Sequence, residues 1–190
     1  MTLDALMALL QRSGGVRTDF VETRTISILA APIETRGTLY FDPPDRIARV
    51  TTQPGHSTAV MRGTRADFAD ETGQRSVDLR SSDVAYGLIS NIMVLLRGDL
   101  PTLRKRYEIG FTADGTRWEL DLQPRAADLR ALVTRVRVKG VGPTVTEMDT
   151  LESNGDATHA VFSNTETGLD FEADANRGVF AVDPLPQANE

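Results

Sequence analysis

Trp118, Leu120 and Leu122 alternate with Arg117, Glu119 and Asp121, and Leu132, Thr134, Val136 and Val138 alternate with Val133, Arg135, Arg137 and Lys139. Side chains on a strand point to opposite faces in turn, so this pattern specifies strands with one apolar and one wet face. Further runs, rich in β-forming residues or bounded by turns, also read as strands: Val16 to Leu29, Ile33 to Phe41, Arg46 to Thr52, His56 to Arg62, Thr64 to Asp70, Arg75 to Leu79, Tyr107 to Thr112, Thr144 to Leu151 and His159 to Asn164. Between them lie turn formers such as Asp42-Pro43-Pro44-Asp45, Gln53-Pro54-Gly55, Asp114-Gly115 and Asn154-Gly155-Asp156. Ten or eleven short one-sided strands joined by tight turns predict a strongly curved, incomplete antiparallel β-barrel. In the third strand Ile47, Arg49 and Thr51 share one face and Ala48 and Val50 the other, so neither face is cleanly apolar.

A curved sheet needs cover on its inner side. The most apolar segment, Asp83 to Leu96, follows the cap formers Ser81, Ser82 and Asp83 and ends at Arg97-Gly98, which predicts a helix over Val84 to Leu96. At about 1.5 Å per residue it spans roughly 20 Å, short of a bilayer core of about 30 Å. It is expected to lie over the sheet as a lid. Leu3, Leu6, Met7 and Leu10 fall at helical spacing and predict a short N-terminal helix, and Pro101 opens another over Thr102 to Arg106.

The 190 residues suit a single domain, expected over 1–183 with a loosely ordered tail over 184–190. A net charge of −6 argues against nucleic-acid binding, which draws on a basic surface. With no cysteine there is no disulfide, thiolate metal site or cysteine nucleophile. His56 and His159 have no partner at ligand spacing, and no nucleophile elbow, dinucleotide fingerprint or phosphate loop occurs; Gly140-Val141-Gly142 precedes a strand and reads as a turn. No cofactor or metal is expected. Glu22, Glu34, Asp67 and Glu119 lie on different strands, and their spacing assigns them no role.

What remains is apolar surface. Phe20, Leu39, Phe41, Ile47, Phe68, Trp118, Leu120, Leu122, Val136, Val138, Met148 and Phe162 on strands, with Leu88, Ile92, Leu95 and Leu96 on the helix, are the expected lining of a lipid-binding cavity. Two other readings stay open. A filled core would leave no cavity, and an enzyme or chaperone acting on another hydrophobic metabolite would need convergent polar groups, for which Arg49, Tyr86 and Asn91 are the nearest candidates.

Phe20-Val21-Glu22-Thr23, Gly37-Thr38-Leu39-Tyr40-Phe41, Thr51-Thr52-Gln53-Pro54, the Val60 to Gly63 turn, Leu95-Leu96-Arg97-Gly98-Asp99, the run from Trp118 to Arg125 and that from Gly155 to Phe162 follow one another in an order that resembles the LolA family. The likeness extends from Leu3 to Phe162. It implies a non-enzymatic, monomeric periplasmic carrier, its leader not among these residues, with a helical lid over an apolar cavity. Such a carrier shields the acyl chains of lipoproteins between an inner-membrane releasing complex and an outer-membrane acceptor. The family's carriers place an arginine before the proline that opens the third strand, where it helps to hold the lid. Here that position is Pro43, and Arg46 and Arg49 are the candidates for a latch.

Overall fold

The computed structural model describes residues 1–78, 93–173 and 178–181. Eleven strands form one antiparallel sheet: β1 (Gly15–Thr25), β2 (Ile33–Asp42), β3 (Arg46–Gln53), β4 (Ser57–Arg62), β5 (Arg65–Asp70), β6 (Gly73–Asp78), β7 (Tyr107–Asp114), β8 (Arg117–Pro124), β9 (Val133–Val141), β10 (Thr144–Glu152) and β11 (Ala157–Leu169). Their order is β6-β5-β4-β3-β2-β1-β11-β10-β9-β8-β7. Two meanders are therefore joined at the β1–β11 seam, and β6 and β7 stand at the two ends of the strand order. The sheet is curved but not closed, the incomplete barrel that the alternation predicts.

Among the described residues α1 (Leu3–Gln11), α2 (Leu100–Arg106) and the short α3 (Ala127–Arg130), which the sequence pattern does not predict, accompany it, besides the helical residues 93–96. Thr2 caps α1, its hydroxyl accepting from the Ala5 N–H at 3.2 Å. Asp99 caps α2 in the same way through the Thr102 N–H, with Pro101 in the first turn. Leu6, Met7 and Leu10 of α1, with Leu100 and Leu103, pack on Tyr107, Trp118, Leu120, Leu122 and Val138.

Of the expected lid helix, residues 93–96 are helical and end as predicted at Gly98; Leu88 and Ile92, like Tyr86 and Asn91, lie outside the described residues. The Gly98 N–H donates to Leu95 and the Asp99 N–H to Val94, so a left-handed Gly98 (φ 64°) closes the last turn. Met93 and Leu96 pack with Phe41, Ile47, Met61 and Ala66, while Val94 and Leu95 belong to the core under α1. This turn therefore bridges the two halves of the sheet's inner face.

Two strand boundaries need correcting. The run Val16 to Leu29 ends as a strand at Thr25; beyond it the Leu29 N–H closes a turn on Ile26, and the Ser27 N–H donates to the Asp156 carboxylate at 2.9 Å. Ile28 there is 89% exposed, so β-forming side chains do not make a strand where no neighbour pairs them. Conversely, the run His159 to Asn164 is part of a longer strand reaching Leu169, because Glu166, Thr167 and Leu169 pair with the start of β1. On the outer face a separate cluster, Tyr40, Ala48, Val60, Leu169, Phe171, Val179 and Phe180, seats the end of the described chain on the sheet.

Candidate functional site

Along β1 the inner face carries Val16, Thr18, Phe20 and Glu22 in succession, a row of roughly 20 Å at about 3.3 Å per residue. Leu39, Phe41 and Arg49 continue it on β2 and β3; Val138, Val145, Met148, Ala160 and Phe162 continue it on β9, β10 and β11. Leu10 of α1 and Leu95 and Leu96 of the bridging turn complete a cavity of about 130 Å³. Its lining is mostly aliphatic and aromatic. The polar groups near its helical end are internally satisfied: the Thr18 hydroxyl lies 2.8 Å from that of Thr165 and bonds the Ser163 carbonyl, and the Ser13 hydroxyl donates to Leu9.

Of the expected lining residues, Phe20, Leu39, Phe41, Leu95, Leu96, Val138, Met148 and Phe162 meet at this cavity. Trp118, Leu120 and Leu122 instead fill the core beneath α1 and α2, with Val136 packed against it; the Trp118 indole N–H donates to the Gly142 carbonyl at 2.9 Å. Ile47 lies in the second core cluster under Met93, and Phe68 packs beside that cluster with the Arg75 guanidinium over its ring. Alternation assigned these side chains to the correct face, but along that face the helices, not a cavity, cover them.

The two latch candidates separate. Arg46 projects from the outer face, where it pairs with Asp42 and Glu172 and stacks 5.2 Å from the Phe180 ring; it fastens the end of the chain and stands on the wrong side of the sheet to hold a lid. Arg49 does reach the inner face and lines the cavity. Its Nη1 and Nη2 donate to the two Glu22 oxygens at 2.9 and 3.0 Å, Nη2 also donates to the Thr35 hydroxyl at 3.2 Å, and its guanidinium lies 4.2 Å from the Phe20 ring centroid. These partners are all on β1 and β2. Glu22, assigned no role from the sequence, is thus the counter-charge of the cavity's arginine. The signal that could have found it is the break in parity at Arg49, a charge on an otherwise apolar face that requires a partner on a neighbouring strand.

A ladder of charges lies on the outer face of β8 to β11. Arg135 and Arg137 pair with Asp121 and Glu119, Lys139 with Glu147 at 2.7 Å, and His159 Nδ1 lies 2.7 Å from Asp149. This cross-strand ladder pins the sheet's register. Among the described residues no group of three or more His, Cys, Asp or Glu is placed to hold a metal ion.

Comparison with known proteins gives a consistent result. The sequence model of a family described as "Outer membrane lipoprotein carrier protein LolA-like" matches residues 1–176. Among solved structures, a putative outer membrane lipoprotein-sorting protein domain from Vibrio parahaemolyticus is similar over 94% of this chain and 97% of its own, at 12% identity and a TM-score of 0.50. A chain of the MucA/MucB complex from Pseudomonas aeruginosa is similar over 92% of this chain at 13% identity and a TM-score of 0.53; the present chain spans 58% of that one. At such identities the likeness is one of fold. No curated protein matches the sequence.

Proposed function

The chain belongs to the family of LolA-like outer-membrane lipoprotein carrier proteins, and from that premise we propose that it is a non-enzymatic periplasmic carrier that shields the acyl chains of lipoproteins or lipids on their way to the outer membrane. The observation that carries this reading is the inner-face cavity itself: an aliphatic and aromatic wall beneath a helical turn, its one charged pair neutralised within the wall. Burial of alkyl chain is worth about 25 cal/mol per Å² of apolar surface and asks for no directional partner. An enzyme would need polar groups free to act on a substrate, whereas Arg49 and Glu22 are bonded to each other.

The size of the cavity sets the mechanism. Sites for drug-sized ligands occupy about 300–1,000 Å³, and about 130 Å³ is too little for a long acyl chain. Loading therefore requires the turn at residues 93–96 to move off the sheet, exchanging its contacts with Phe41 and Ile47 for contacts with the lipid. Transfer would take place by docking at an inner-membrane releasing complex and an outer-membrane acceptor, the partners that membership of the family suggests. The test is titration of the protein with a fluorescent acyl ester presented in vesicles. Saturable binding near one site per chain is expected; absence of saturable binding overturns the proposal.

A further inference from the structure

The acyl cavity has one charged end. At the other end of the β1 row, Val16 and Phe41 lie with Leu10 and Leu96 under the helical segments, while Glu22, Arg49 and Thr35 stand together where the row runs out. A lipid lying along this row would place its tail under the helices and its head group beside Arg49. What head group the site accepts follows from how that arginine is occupied.

Both terminal nitrogens of Arg49 already serve a carboxylate, in the two-pronged geometry that a free fatty acid would also seek. One face of the guanidinium is taken by the Phe20 ring, and Thr35 donates to Glu22 at 3.4 Å and accepts from Arg49. Glu22 therefore stands where a ligand carboxylate would bind, and an anionic head group would meet its negative charge at short range in a half-buried site. A carbonyl or hydroxyl head group needs only one remaining guanidinium N–H and brings no charge. We infer that the Arg49–Glu22 pair makes this cavity selective for acyl chains carried on uncharged, hydrogen-bonding head groups, as in ester-linked glycerides, and turns away free fatty-acid anions. The inference rests on the carrier reading above and adds the class of head group to it.

The experiment compares two ligands with the same C18:1 chain, monooleoylglycerol and oleate, by displacement of the fluorescent acyl ester at pH 8. Wild-type protein is expected to bind the glyceride about tenfold or more tightly than oleate, the scale of one charge-assisted hydrogen bond. Glu22→Gln keeps an acceptor for Arg49 and Thr35 but frees the guanidinium charge; it should shift the oleate-to-glyceride affinity ratio about tenfold toward oleate. The double variant Glu22→Met/Arg49→Met, which removes both charges together, should bind the chain and lose the head-group preference. Equal affinities in the wild type, or an unchanged ratio in Glu22→Gln, would overturn the inference while leaving the carrier reading standing. Failure of both ligands to bind the wild type would overturn the carrier reading, and this inference with it.

Discussion

Replacing Gly98 by alanine attacks the joint between the bridging turn and α1, and the structure separates the cost into two parts. Gly98 is left-handed (φ 64°), and a Cβ there would lie 2.2 Å from the Met7 carbonyl oxygen and 3.1 Å from the Gln11 nitrogen. The left-handed backbone alone costs a non-glycine residue on the order of 1 kcal/mol or more. Relief of the clash needs a shift of more than an ångström in α1 or in the turn, yet α1 is held by Leu6, Met7 and Leu10, which are 0%, 2% and 4% exposed. Overpacking of this kind adds about 2–3 kcal/mol, for a total of about 3–5 kcal/mol. In a chain of this length that lowers Tm by about 6–20 °C, at roughly 2–4 °C per kcal/mol. The control is Gly115→Ala, which shares the backbone conformation (φ 57°) but has nothing within 4 Å of the added Cβ, so it reports the conformational part alone. Thermal and urea unfolding of both variants is the assay. If Gly98→Ala costs no more than Gly115→Ala, close packing of the turn on α1 is not what fixes the cover, and the reasoning fails.

Gly140→Ala would drive a Cβ to 2.2 Å from the ring of Trp118, the chain's single tryptophan; stability should fall by about 1–3 kcal/mol and the emission should shift to the red, whereas unchanged emission would contradict the packing described. Leu39→Trp places an indole in the cavity and should weaken binding of the acyl ester by about tenfold or more, or 1.4 kcal/mol, with Tm nearly unchanged; full binding would show that the chain lies elsewhere. Acid should destabilise the fold in a defined window. The Thr102 hydroxyl, with the backbone N–H beside it, holds Asp99 below the ordinary carboxylate value of 3.8, and Arg135 does the same for Asp121. A carboxyl group with a lowered folded-state pKa contributes stability that is complete above its unfolded value and is lost as pH falls through the folded one. Unfolding midpoints should thus hold steady above about pH 5 and drop below about pH 4, and Asp99→Asn should make that drop shallower; an identical acid profile would contradict the cap's role.

Much of the architecture could be read from the chain because one-sided strands carry their own period. Arg117 to Gln123 and Thr144 to Leu151 fall within β8 and β10 almost to the residue, and Asp114-Gly115 marks its turn. What escaped depends on distant partners. Composition extends the strand beginning at Val16 four residues too far because Ile26, Ile28 and Leu29 are apolar and suit a strand; the turn they form is anchored through Ser27 to Asp156, 129 residues away. The pattern ends β11 early because Thr165 to Gly168 are polar or small and take their strand conformation from pairing with β1. At the cavity, parity placed Trp118 and Leu120 on the inner face, but only the packing of α1 and α2 decides that they are core while Phe20 and Met148 are wall. The pairing of Arg49 with Glu22 crosses from β3 to β1 over the intervening β2, a relation that no local window contains.

The carrier account stands on movement of the bridging turn away from the sheet when lipid enters. Met93 is 4% exposed against Phe41, Ile47, Met61 and Ala66, and the chain has no cysteine, so Met93→Cys supplies a single buried thiol on that turn. The direct measurement is the rate at which this thiol reacts with a maleimide, with and without saturating acyl ester. A thiol protected in the empty protein and labelled several-fold faster in the loaded one is the result predicted; a rate that is unchanged or slower while lipid is demonstrably bound would contradict it.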